Sequence, residues 1–202
     1  MSRRRSTSTT LLIAVMSLFV WYGQSQGWFA SAASETAQTA ESAKKTIEAN
    51  QPGMYRITRY SDGDTITIDM LGTSETIRFI GVDTPETHDP RKKVQCYGPA
   101  ASAFTKNTLT AAGSKVRLAA DSLSNNRDRY NRLLRYVYLP DGTLLNLKLI
   151  QEGYGFYYPY FPFTKSTEFD TAQQQAKTAA KGLWGNCTPK PTNGGGYTSN
   201  DQ

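Results

Sequence analysis

A chain of 202 residues with 38% hydrophobic content has room for one domain with a real core, plus appendages. Its single histidine, His88, excludes mechanisms built on a histidine pair; no Gly-x-Ser-x-Gly turn supports a serine nucleophile, and a zinc site would be short of ligands. The formal charge of +6 overstates the case for an anionic partner: Arg3, Arg4 and Arg5 precede the first acid, Glu35, and without residues 1–32 the charge is 6 − 3 = +3.

The N-terminus has the form of an export signal. A basic start leads into an apolar run, Leu11 to Tyr22, and Ala30-Ser31-Ala32 fits a small-x-small cleavage site. The run is short for a membrane span. Gln24, Ser25 and Gln26 make the cleavage region long, so an uncleaved anchor through residues 9–22 stays open as the alternative. Either way the body is expected outside the cytoplasm, secreted or tethered. Residues 33–53 lack aromatics and end at Pro52-Gly53, as a linker would. The main domain is expected over residues 54–187.

Strands come first within it. Met54–Ser61 alternates, and Thr65–Leu71 alternates with Ile66, Ile68 and Met70 on one face. Gly72-Thr73-Ser74 turns the chain, and Glu75–Ile80 returns. Pro99 opens a helical stretch in which Ala100, Ala101, Phe104 and Thr108 fall at helical spacing. Lys115–Ala120 and Leu133–Leu139 are expected strands, the second closed by the Pro140-Asp141-Gly142-Thr143 turn. Leu144–Gln151 is an expected helix ending at Gly153, and Phe169–Lys181 a last one stopped by Gly182. Residues 188–202, with Pro189, Pro191 and three consecutive glycines from Gly194, are expected to be disordered. Five strands with three helices predict an α+β fold, a small closed barrel with helices packed on it. Cys96 and Cys187 are the only cysteines. In an oxidising compartment they are a disulfide candidate, against the alternative of two free thiols.

Acid–base chemistry must therefore fall to carboxylates. Asp62-Gly63-Asp64-Thr65 sits between the first two strands, and Asp83-Thr84-Pro85-Glu86 follows the strand that carries Arg78. If those strands form the hairpin proposed, its open ends bring Asp64 and Asp83 together. Paired carboxylates at close range call for a cation, and all-oxygen ligands suit calcium or magnesium. Each cluster alone also fits a plain turn or a helix cap. Arg78, and the cations of Asp128-Arg129-Tyr130-Asn131-Arg132, make phosphate the expected substrate group, because guanidinium forks bind it bidentately. Arg91, Lys92 and Lys93 follow the acidic cluster and fit either polyanion steering or a solvated charge run.

In these segments the chain resembles the staphylococcal nuclease (thermonuclease) family. The likeness continues through Gly81-Val82-Asp83-Thr84-Pro85-Glu86, Tyr97 to Lys106, Asp128 to Arg132 and Gly182-Leu183-Trp184, in order, across about residues 54–187. The resemblance implies a five-stranded OB-fold barrel with three packed helices, cutting DNA and RNA with calcium to leave 3′-phosphate ends. By position it implies Asp64 and Asp83 as calcium carboxylates and Thr84 as a backbone-carbonyl ligand. It further implies Glu86 as general base, Arg78 and Arg132 as phosphate-binding arginines, and Tyr130 in the nucleotide site, with Arg129 beside it. A monomer is expected. Asn131 stands where the staphylococcal type has glycine, and Cys96 replaces a charged residue. The aromatic run from Phe156 to Phe163 fits either base stacking or loop packing. The rival readings are an OB barrel that binds nucleic acid without cutting it and a surface protein that uses calcium only to fold. The second leaves Arg78 and Arg132 unexplained.

Overall fold

The computed structural model describes residues 53–87 and 93–201. The expected signal or anchor, the linker as far as Pro52, and His88, Arg91 and Lys92 lie outside the described residues. Among the described residues no helix is long and apolar enough to cross a membrane.

β1 (Met54–Asp62), β2 (Thr65–Met70) and β3 (Thr73–Phe79) form an antiparallel meander. Period-two alternation puts Ile66, Ile68 and Ile77 inward, all fully buried. Each such side chain contributes roughly 1.5–3 kcal/mol by leaving water. After the two-residue β4 (Val82–Asp83) come α1 (Gly98–Ala111), β5 (Lys115–Ala119) and β6 (Leu133–Tyr138). β5 pairs antiparallel with both β1 and β6, and β6 runs parallel to β3, so the order β1-β2-β3-β6-β5 closes on itself. This is the expected five-stranded barrel of an OB fold.

α2 (Leu145–Gln151) and α3 (Ser166–Thr178) pack on each other, with the two-residue β7 (Phe156–Tyr157) between them in sequence. α2 is pinned across the seam: fully buried Asn146 donates to the Ile80 and Arg135 carbonyls at 2.9 and 3.2 Å and accepts the Val137 amide at 2.8 Å. A single turn, α4 (Leu183–Asn186), ends at the Cys96–Cys187 disulfide, whose Cα atoms are 6.0 Å apart.

α1 is the expected helix; its buried residues are Gly98, Ala101, Thr105 and Leu109, with Thr105 turned toward the Gly63 carbonyl and Ala100, Phe104 and Thr108 half-buried. Two expectations need correction. α3 begins at Ser166 instead of Phe169, its first turn tied by a 2.7 Å bond between the Tyr157 and Ser166 hydroxyls, and it ends at Thr178. Most plainly, residues 188–201 are not a loose tail. They form β8 (Lys190–Pro191) and β9 (Tyr197–Thr198), which pair with each other and return to the Cys96 segment.

Candidate active site

The acidic turn between β1 and β2 is built to hold one carboxylate inward. Asp64 is 6% exposed; its Oδ1 accepts the Thr65 hydroxyl at 2.9 Å and its Oδ2 the Thr84 amide at 2.8 Å. Gly63 makes this approach feasible, since a Cβ there would stand 2.8 Å from the Thr84 side chain. The buried Thr105 hydroxyl donates to the Gly63 carbonyl at 2.6 Å and fastens the turn to α1. Asp83 is carried by the β4–β7 pair, opposite Phe156.

Arg78 joins the two aspartates. Its Nη2 lies 2.7 Å from Asp83 Oδ1 and 3.3 Å from Asp64 Oδ2, and its Nη1 donates to the Val82 and Phe79 carbonyls at 2.6 and 3.0 Å. Burial alone would weaken the guanidinium's charge, but Asp64 and Asp83 outweigh it and raise its pKa. The guanidinium carbon also sits 5.8 Å from the Tyr158 ring centre.

Across from it stands the second group. Asp128 Oδ1 accepts the amides of Tyr130 and Arg132, both at 2.9 Å, while Oδ2 accepts Arg132 Nε at 2.7 Å. Burial opposes the Asp128 charge, yet the amide and side chain of Arg132 and the amide of Tyr130 hold its carboxyl below the usual range. The exposed Tyr130 ring lies 4.8 Å from the Arg129 guanidinium and 5.4 Å from that of Arg132. Arg78, Arg129, Tyr130, Arg132 and Tyr158 all line one open cleft of about 470 Å³. Asp64 and Asp83 adjoin it through Arg78. Glu86 stands beside the acidic turn, with Oε1 accepting the Thr87 amide at 2.9 Å while the Thr87 hydroxyl donates to Asp62 at 3.1 Å.

Two cationic forks on a closed barrel beside clustered carboxylates match known proteins. The family described as staphylococcal nuclease homologue matches residues 76–186. The thermonuclease of Staphylococcus hyicus is 44% identical over 135 residues, 65% of this chain and 76% of the relative. That of Staphylococcus intermedius is 44% identical over 133 residues, covering 64% and 75%. Endonuclease YncB of Bacillus subtilis is 37% identical over 154 residues, covering 74% and 71%.

The chain belongs to the staphylococcal nuclease family. It is a hydrolytic nuclease, and its family implies nucleic acid substrates.

The acidic side fits a hard cation. Burial first, then the charge on Asp64, raise the Asp62 carboxyl to about 6, and Glu86 adds to this against hydrogen bonds from Gly63 and Thr87. Asp64 and Asp83, which meet at Arg78, offer only oxygen donors, the ligand type a hard cation takes. Among the described residues no group of three or more His, Cys, Asp and Glu side chains is placed to hold a metal ion.

The sequence named Arg78, Asp64, Asp83, Arg132 and Tyr130 as partners, and the fold brings them together or next to one another. It did not single out the Asp121 carboxylate. Asp121 accepts the Tyr136 hydroxyl at 2.7 Å, the Thr164 amide at 2.8 Å and the Thr164 hydroxyl on one oxygen, and the amides of Leu123 and Ser124 on the other. Leu123, Ser124, Phe161 and Phe163 line the cleft, so this hub holds two of its walls in register. Asp-Ser in a loop carries no sequence signal of such a role. Neither was Glu75 foreseen, whose carboxylate takes both Arg127 nitrogens at 2.9 and 3.1 Å at the cleft edge.

Proposed function

We propose that this nuclease is calcium-dependent, acts as an endonuclease on DNA and RNA, and leaves 3′-phosphate ends. Asp64, Asp83 and the Thr84 carbonyl are the residues to hold the ion, and Glu86 is the general base. The observation that carries this reading is the meeting of Arg78 and Arg132 in one cleft while Arg78 also touches both aspartates.

Calcium held by Asp64, Asp83 and the Thr84 carbonyl would supply charge neutralisation on a phosphate oxygen. Glu86 takes a proton from the attacking water as the water oxygen bonds to phosphorus; the bond to the 5′ oxygen breaks, and that oxygen takes a proton from solvent water and leaves as the 5′-hydroxyl. Arg78 and Arg132 hold the charge that builds on the equatorial oxygens. Asp128 keeps the Arg132 fork aimed, and Tyr130 and Arg129 flank the nucleotide.

The test is cleavage of plasmid, single-stranded DNA and RNA with calcium or with a chelator, followed by analysis of the ends. Glu86→Ala, Arg78→Ala and Arg132→Ala should each lower kcat about 10²–10³-fold or more. Undiminished cleavage in chelator, or near-normal activity in any of the three variants, overturns the corresponding part.

We further read residues 1–32 as a cleaved signal or retained anchor and the enzyme as a monomer outside the cytoplasm. The Cys96–Cys187 bond supports an oxidising compartment. N-terminal sequencing of the exported protein decides between signal and anchor.

A further inference from the structure

We propose that residues 188–201 are a brace that positions Glu86 through Gln95 and steadies the aromatic wall of the cleft through Tyr160. This rests on Glu86 acting as the base. The inner end of the brace is a dense set of bonds. The Cys96 amide donates to the Asn200 carbonyl at 2.7 Å, and the Ser199 hydroxyl donates to the Cys96 carbonyl at 2.9 Å. Gln95 Nε2 donates to Thr198 Oγ1 at 3.0 Å and to the Ser199 carbonyl at 3.2 Å. Ser199 is 5% exposed, so these bonds are shielded from water.

Gln95 faces the other way too. Its Oε1 accepts the Glu86 amide at 2.8 Å, and its main-chain amide donates to the Glu86 carbonyl at 2.9 Å. One glutamine side chain can thus accept from Glu86 through Oε1 while its Nε2 donates to the tail. Glu86 belongs to no helix or strand. Sites on loops lose precision unless a supporting layer locks them. Here that layer is Gln95, and the layer behind Gln95 is the brace.

The outer end packs on Tyr160, next to the cleft. A Cβ at Gly194 would stand 2.9 Å from the Tyr160 ring, and one at Gly196 2.7 Å from its hydroxyl. The Tyr160 hydroxyl bonds Thr192. Tyr160 lies 4.8 Å from Tyr158, which lines the cleft over Arg78. Between the ends, Tyr197 packs on Trp184 at 5.0 Å and on Phe156 at 6.2 Å, and Phe156 is the strand partner of Asp83. The Cys96–Cys187 bond roots the brace beside the residue it holds.

Two variants test this, one lacking residues 188–202 with both cysteines kept, and a full chain with Thr198→Val and Ser199→Ala. Each is made in the natural chain and in Glu86→Gln, and kcat, KM and thermal midpoint are measured with calcium. With Glu86 present the truncation should lower kcat about tenfold or more, and the double substitution about threefold; in Glu86→Gln neither should lower kcat further by more than about twofold, since positioning a base that is gone costs nothing. The truncation, which also removes the Tyr160 contacts, should raise KM in both backgrounds. Equal loss of kcat in both backgrounds, no loss of kcat in either, or an unchanged KM in the truncated chain overturns the proposal. If the truncated chain does not fold, the double substitution decides alone. A natural chain inactive with calcium, or a fully active Glu86→Gln, overturns the catalytic reading instead.

Discussion

At the scale of single residues, Arg78 and Arg132 carry the same proposed role toward phosphate but stand differently in the fold. The Arg78 side chain is 12% exposed against an Asp64 side chain that is 8% exposed, while the Arg132–Asp128 pair is 29% and 17% exposed. Removing one partner of a buried pair strands the other charge, at about 3–5 kcal/mol, whereas a more accessible pair is worth about 1 kcal/mol or less. Arg78→Ala and Arg132→Ala should therefore lose similar rates but separate in urea titrations without calcium, with only Arg78→Ala losing several kcal/mol. Asp121 gives a pH signature. Burial opposes its charge, but the Thr164 and Tyr136 hydroxyls and the Thr164 and Leu123 amides lower its carboxyl to about 2. A depressed carboxyl stabilises the fold above its ordinary pKa and loses that contribution as pH falls through the folded value. That contribution should thus disappear between about pH 4 and pH 2. Asp121→Asn should flatten that part of the stability profile; an unchanged slope in acid titration counts against the hub.

At the scale of elements, the Asp128–Arg132 loop depends on Asn131, whose φ is 64°. Asparagine tolerates this left-handed region and alanine does not, so Asn131→Ala should cost about 1 kcal/mol in thermal unfolding while Asn131→Gly costs little. The same scale shows what a sequence can carry. Ile66, Ile68 and Ile77 alternate because one barrel face is dry, so their strands were legible to within a residue or two, and with them the approach of Asp64 to Asp83. The two-residue pairs β4–β7 and β8–β9 were not. Their partners lie far apart or are flanked by proline and glycine, and Val82, Phe156 and Tyr197 find their places by packing that no local period announces. For the same reason Arg78, Arg132 and Tyr130 could be named from local motifs. Gln95 could not, because its role exists only once Glu86 and Ser199 meet on either side of it.

At the scale of the molecule, the Cys96–Cys187 bond closes a loop with a separation of 91 residues. A loop of that length stabilises by roughly 4–5 kcal/mol in the chain-entropy account. Replacing both cysteines by alanine should lower the thermal midpoint by about 8–20 degrees at this size, measured by calorimetry. If the midpoint hardly moves, the tail's hydrogen bonds alone suffice to hold the C-terminal elements.

The barrel's one parallel pair, where Ile77 meets Leu133 and Arg78 meets Leu134, sets an order of assembly. β1, β2 and β3 can pair through short turns, but β6 reaches β3 only after α1 and β5 have been laid down between them. Contacts across long intervening chain form late, because the loop entropy must be met first. Arg78 stands on one side of that seam and Arg132 enters it on the other, so the two proposed phosphate arms do not share a cleft until the seam closes. Nuclease activity should accordingly return with the slowest refolding phase, after most helical signal is regained, and the partly folded chain should be unable to cut the nucleic acid around it.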